Sequence, residues 1–191
     1  MPSSRFALLC APLLLAGAGI GNATGGTGAG FPTIVTVGDG AARVATGFTI
    51  AGGRVVTVAH LLKHDHVGVR GADGVVRRGA VVRRDELLDL ALVAVPGLPP
   101  APSFARAGTR MLVQREGAIV AQPARVLRRI TARLGAARRP ALELAATPVA
   151  GDSGAPVLSD GRLAGIVFAR SRGRAGVAYA VDAAALDRLL R

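Results

Sequence analysis

Three short segments carry the residue types that nucleophilic catalysis by serine requires. Thr57-Val58-Ala59-His60-Leu61 places a histidine just after a β-like run. Asp89-Leu90-Ala91-Leu92-Val93 opens an apolar run with an acid, and Gly151-Asp152-Ser153-Gly154-Ala155-Pro156-Val157 sets a serine in a glycine-flanked turn ahead of another run. A serine hydroxyl is a poor nucleophile at neutral pH and needs a neighbouring base to take its proton. Imidazole titrates in the right range, and a carboxylate beside it holds one tautomer and stabilises the imidazolium that forms. The negative oxygen of a tetrahedral intermediate needs converging donors. A glycine at 151 lets its own N–H and that of Ser153 point toward one place. His60, Asp89 and Ser153 are therefore the candidate base, acid and nucleophile, with the Gly151 and Ser153 amides as the candidate oxyanion hole. Each segment alone has a structural explanation; the three together, in this order, are specific.

These segments need a scaffold of short strands. The chain has 191 residues, half of them hydrophobic, with 26 Gly and 11 Pro spread along it, which favours many turns over a helical bundle. Aromatic residues are 3% of the total, so the core must be built from Val, Leu, Ala and Ile. β-like runs start at Thr33–Val37 and continue at 46–50, 54–58, 67–70, 75–83 and 90–95. Pro96 to Pro102 holds four prolines and cannot lie inside a sheet. Runs resume at 110–114, 117–121, 124–134, 141–145, 155–158, 163–169 and 176–181. After Asp182, a good N-cap, Leu186, Leu189 and Leu190 share one face of a short helix.

Residues 1–23 have the make-up of a signal peptide: Arg5, an apolar stretch from Phe6 to Ala18, then small residues through Ala23. The apolar stretch is short for a membrane span, and an uncleaved anchor is the alternative. The one cysteine, Cys10, falls in this segment, so a processed chain has no disulfide to form. Residues 24–30 form a Gly-rich lead-in. The expected location is outside the cytoplasm, secreted or periplasmic, or membrane-anchored if the segment stays attached.

The three segments and their surroundings resemble the trypsin-like serine protease family, and in particular its bacterial branch of HtrA-type enzymes. Thr46 to His60 is similar to the family's strand–turn–strand leading to the catalytic histidine. Asp89-Leu90-Ala91-Leu92 resembles its acid motif, Gly151-Asp152-Ser153-Gly154 its nucleophile loop, and Arg162 to Val167 and Gly176 to Val181 the strands that follow. The resemblance implies an all-β, chymotrypsin-like fold of two six-stranded antiparallel β-barrels with a short C-terminal helix. The first barrel would span 31–95, a linker 96–108, the second barrel 109–181 and the helix 182–191. Asp85 and Glu86 lie near Asp89 and compete for the acid's role; the family motif selects Asp89.

By the same resemblance, Thr147, Phe168, Ala169, Arg170 and Gly176 would line the substrate pocket. No acid stands at its base, so a medium-sized apolar residue is the expected preference at the cleavage site. The implied activity is a serine endopeptidase working through an acyl-enzyme on a protein or peptide substrate, with no cofactor and no metal. An esterase, or a non-catalytic relative binding peptides or anionic envelope polymers, is the competing reading. Many relatives have glycine where this chain has Ala155, a small intrusion expected to bear on efficiency. No Ile-Val-Gly-Gly-like start is present to insert a new N-terminus against Asp152, which is expected to cap local backbone donors instead. Regulation by an attached peptide-reading domain, as in HtrA-type enzymes, is not expected.

The formal net charge is +12. Because Arg, Ala and Gly are abundant throughout, this reads as compositional bias, and no zinc-finger or aromatic-basic signature supports nucleic-acid binding. Arg125, Arg128, Arg129, Arg133, Arg138 and Arg139 form a basic stretch read as a solvated hairpin, with contact to an anionic envelope surface as its functional alternative. His64 and His66 flank Asp65 in an expected surface loop, too few for a metal site. Nothing in the sequence sets the oligomeric state.

Overall fold

The computed structural model describes residues 34–38, 44–50, 52–98, 108–115, 118–134 and 137–191. The signal-peptide segment, the Gly-rich lead-in and residues 99–107 of the linker lie outside the described residues. Thirteen strands and a short C-terminal helical turn account for the ordered elements among them.

Six strands make the first half: β1 (Ile34–Gly38), β2 (Val44–Ile50), β3 (Arg54–Val58), β4 (His66–Arg70), β5 (Val76–Asp85) and β6 (Leu90–Ala94). They close into an antiparallel barrel in the order β1-β2-β3-β6-β5-β4, with β1 pairing back onto β4. Closure leaves no strand edge open. Val37, Phe48, Val55, Val56, Val69 and Val93 fill it at 0–1% exposure, so the scarcity of aromatics is met by β-branched side chains. Each such side chain contributes on the order of 1.5–3 kcal/mol by leaving water. Gly47 and Gly79 sit where a Cβ would fall 2.7 Å from Val55 and 2.6 Å from Val93, so the barrel closes over glycines.

The second half holds β7 (Thr109–Arg115), β8 (Ala118–Pro123), β9 (Arg125–Leu134), β10 (Ala137–Ala145), β11 (Pro156–Ser159), β12 (Arg162–Arg170) and β13 (Val177–Asp182). They form an antiparallel sheet in the order β8-β7-β11-β12-β13-β10-β9. This sheet has seven strands where the resemblance implied six, because 118–134 breaks at Ala124 into β8, which pairs with β7, and β9, which pairs with β10. Asp182 caps the last element by accepting from Ala184 N–H at 3.1 Å, and the chain turns through a 3-10 segment, Ala183–Ala185, into α1 (Leu186–Leu190). Leu189, fully buried, carries α1 onto a core cluster that joins both halves, including Leu90 and Val58 from the barrel and Leu112, Ile166 and Phe168 from the sheet.

Candidate active site

Strand register brings the base and the acid together. Strands β3 and β6 run antiparallel with Val58 opposite Leu90, so the residues just past β3 and just before β6 are neighbours. Ala59 N–H donates to Asp89 O at 3.0 Å. His60 N–H donates to Asp89 Oδ1 at 2.8 Å, and His60 Nδ1 lies 2.8 Å from Asp89 Oδ2. An ionised carboxylate only accepts, so Nδ1 carries the proton and the Nε2 lone pair is left free to act as a base. Asp89 is 3% exposed while the His60 side chain is 39% exposed, which puts the acid behind the imidazole and the imidazole at the surface of the cleft.

Asp89 adopts this position with φ of 60°, in the left-handed region. That costs an ordinary residue roughly 1–2 kcal/mol and costs Asp less than most. Asp85, the first competitor, accepts from Leu88 N–H at 3.0 Å and pairs with Arg188 Nε at 2.7 Å, which shapes the turn leading to Asp89. Glu86 is exposed. Of the three acids, Asp89 is the one bonded to His60.

Behind Asp89 stands a residue that sequence reading assigned to a solvated hairpin. Arg139 is 2% exposed, not solvated. Its Nη1 donates to Leu88 O at 2.9 Å and lies 3.5 Å from Asp89 Oδ2. Strand alternation explains the error: along β10, Arg138 faces solvent and Arg139, the next residue, faces in. Its guanidinium lies 5.2 Å from the centroid of Phe168, within range of a cation–π contact. Phe168 reaches it because β12 shifts register between Val167 and Ala169, a bulge that redirects a side chain. The phenyl ring therefore packs behind Asp89 and does not enter the cavity beside Ser153.

The nucleophile loop is keyed to the barrel by its backbone. Thr46 N–H donates to Ser153 O at 2.8 Å, and Thr46 Oγ1 donates to Gly151 O at 2.8 Å. Thr57 Oγ1 donates to Thr46 O at 2.8 Å, tying this junction to β3, which ends two residues before His60. Gly154 makes the close approach possible. With φ of 92°, a Cβ there would fall 1.9 Å from Thr46 O. Ala155, the departure noted in the sequence, is fully buried in the core cluster of the second sheet with Met111 and Val157, so its methyl group packs away from the cleft.

Donors around Ser153 divide cleanly. Asp152 N–H donates to Val149 O, Gly154 N–H to Val167 O and Ala155 N–H to Asp152 O. Among the described residues, the Gly151 and Ser153 amides have no protein acceptor. Gly151 takes φ of 94° with open space where a Cβ would be, so it is the backbone angle that calls for glycine. Asp152, fully buried, accepts from Val149 N–H at 2.8 Å and forms an ion pair with Arg115 from the end of β7. The local cap was legible in the sequence; the Arg115 partner, 37 positions away, was not.

A cavity of about 180 Å³ opens beside Ser153, lined by Pro148, Val149, Ala150, Val167, Ala169 and Arg170. Of the residues expected to line the pocket, Ala169 and Arg170 do so. Thr147 and Gly176 line an adjoining cavity of about 550 Å³ that shares Pro148 and Arg170 with it, and Phe168 lines another, of about 650 Å³, that shares Ala169 and Arg170. Asp65, between the two loop histidines, pairs with Arg84 at 2.9 Å, which lowers its carboxyl below the ordinary range through the hydrogen bond from that guanidinium.

Two antiparallel β units with a His–Asp pair on one and a glycine-flanked serine on the other define the chymotrypsin-like serine protease class. The chain belongs to the trypsin-like peptidase domain family, whose model matches residues 45–166. Among solved structures, the Rv3671c protease from M. tuberculosis in its active form is similar at 26% identity and a TM-score of 0.73, over 83% of this chain and 79% of that one. The inactive form of the same protease matches at 27% identity and 0.70, over 83% and 87%. The MamO protease domain from Magnetospirillum magneticum shares the fold, at 24% identity and 0.67 over 84% and 96%. No curated protein sequence matches this chain.

Proposed function

We propose that this protein is an extracytoplasmic serine endopeptidase with His60, Asp89 and Ser153 as its triad. The observation that carries the reading is the doubly hydrogen-bonded His60–Asp89 pair on the barrel, joined through Thr46 to the Ser153 loop. Ser153 Oγ attacks the peptide carbonyl carbon while its proton passes to His60 Nε2. Asp89 stays ionised and balances the imidazolium. The carbonyl oxygen, now negative, accepts from the Gly151 and Ser153 amides. Collapse breaks the C–N bond, His60 gives its proton to the leaving amine, and an acyl-enzyme remains. Water then attacks the ester by the same steps in reverse order, with His60 again as base. Removing one oxyanion donor typically costs about 10²–10³ in rate.

The cavity beside Ser153 holds no acid, and apart from Arg170 its walls are Pro148, Val149, Ala150, Val167 and Ala169, which supports a medium-sized apolar residue at the cleavage site. The Phe168–Arg170 segment extends past the end of β11 pairing at Pro156–Ile166. Its free edge suits an extended peptide added as an antiparallel strand. The test is turnover of matched peptide and simple ester substrates. Peptide hydrolysis lost in Ser153→Ala supports the endopeptidase; ester turnover without peptide cleavage would make it an esterase. The extracytoplasmic assignment rests on residues 1–23 and predicts a mature N-terminus near residue 24 by terminal sequencing.

A further inference from the structure

Next to the Ser153 cavity lies the larger one, about 650 Å³, and the two share Ala169 and Arg170. Its floor is apolar: Ile130 and Ala132 from β9, Phe168 and Ala169 from β12, and Tyr179 from β13. Its rim is cationic, with Arg133, Arg170 and Arg172, all exposed. None of the three has an acidic partner among the described residues. Glu143 is paired across the ladder with Tyr179. It is already taken by Arg128 at 3.0 Å and Arg174 at 2.8 Å. No carboxylate lines the cavity itself.

An apolar floor under three unneutralised guanidinium groups suits an anion on a short hydrocarbon stem. We propose that this cavity is a specificity site for an acidic side chain, glutamate or aspartate, of the peptide being cleaved. The inference rests on the endopeptidase reading above. Strand β12 runs from Val167 beside Ser153 toward Arg170, so a peptide paired antiparallel to it runs toward Ser153. Residues lying over the cavity therefore precede the scissile bond. Side chains alternate along a strand at about 3.3 Å per residue, so the third residue before the bond shares a face with the one beside Ser153. The substrate class is a peptide with an acid as the third residue before the bond, two residues ahead of a medium-sized apolar residue. Charge complementarity of this kind also speeds encounter.

The test uses internally quenched peptides identical except for Glu, Gln or Lys at that third position. The expected order of kcat/KM is Glu above Gln above Lys, with Glu over Gln by roughly 5- to 30-fold from the summed effect of exposed pairs. The gap should shrink in 0.5 M salt, because exposed charges are screened within about 5 Å or less at about that strength. The paired charge reversal Arg133→Glu/Arg172→Glu should invert the order to favour Lys. Equal rates for Glu and Lys peptides, or an order unmoved by charge reversal, would overturn the proposal. Binding of the same labelled peptides to the Ser153→Ala protein, read by fluorescence anisotropy, separates the two claims. Glu-preferring binding by a protein whose wild type cleaves nothing would sustain the site and remove the endopeptidase. Cleavage without charge preference would do the reverse.

Discussion

Replacing Arg139 with methionine removes a buried cation while nearly keeping its volume. The guanidinium Nη1 stands 3.5 Å from Asp89 Oδ2. At an effective dielectric constant of about 20, a pair at that distance attracts by roughly 5 kcal/mol. Desolvating the two ions takes back several kcal/mol. Deleting one partner of a buried pair usually costs about 3–5 kcal/mol, because the other charge is left uncompensated. Here Asp89 keeps its two hydrogen bonds from His60. Arg139 Nε is itself buried without a partner, so its removal relieves a cost. Methionine also retains contact with the Phe168 ring, worth about 0.3–1.5 kcal/mol. Only Leu88 O loses its donor outright. The expected loss is about 2–3 kcal/mol in urea unfolding. A double-mutant cycle with Asp89→Asn should show coupling of about 1–2 kcal/mol, as for groups in direct contact. Additivity within about 0.5 kcal/mol would refute the link between Arg139 and the acid.

Three further outcomes follow from single contacts. Gly154→Ala should cost more than about 3 kcal/mol in thermal unfolding, since it combines a left-handed φ with a backbone clash at Thr46 O, whereas Gly52→Ala, with positive φ but open space, should cost only about 1 kcal/mol. Arg115→Met strands the fully buried Asp152 carboxylate and should cost about 3–5 kcal/mol by the same denaturation assay, part of it recovered in Arg115→Met/Asp152→Asn. Glu143 titrates at about 2 in the folded protein, down from 4.5, chiefly through the hydrogen bond from Arg174 and then that from Arg128. A lowered folded value means stabilisation that is complete above 4.5 and lost as pH falls toward about 2. Glu143→Gln should therefore flatten acid unfolding in that window and change little in its pH dependence above it.

Much of this was legible because strands announce themselves by short β-branched runs between turns. Runs at 54–58 and 90–95 became β3 and β6, and the residues just beyond them are His60 and Asp89. Burial within a strand was harder to read. Arg138 and Arg139 look alike in sequence, and only the phase of β10 sends the second inward to Asp89. Long-range pairing was not readable at all: Arg115 meets Asp152 because β7 pairs with β11, a fact of topology with no local signal.

The central claim is that Ser153 is the nucleophile activated by His60 and Asp89. The direct measurement is intact-mass analysis and peptide mapping after treatment with a fluorophosphonate. The account predicts one adduct per chain, on Ser153, absent in Ser153→Ala and slowed by about 10⁴-fold in Asp89→Asn. A folded protein that takes no label, or takes it on another residue, would contradict it.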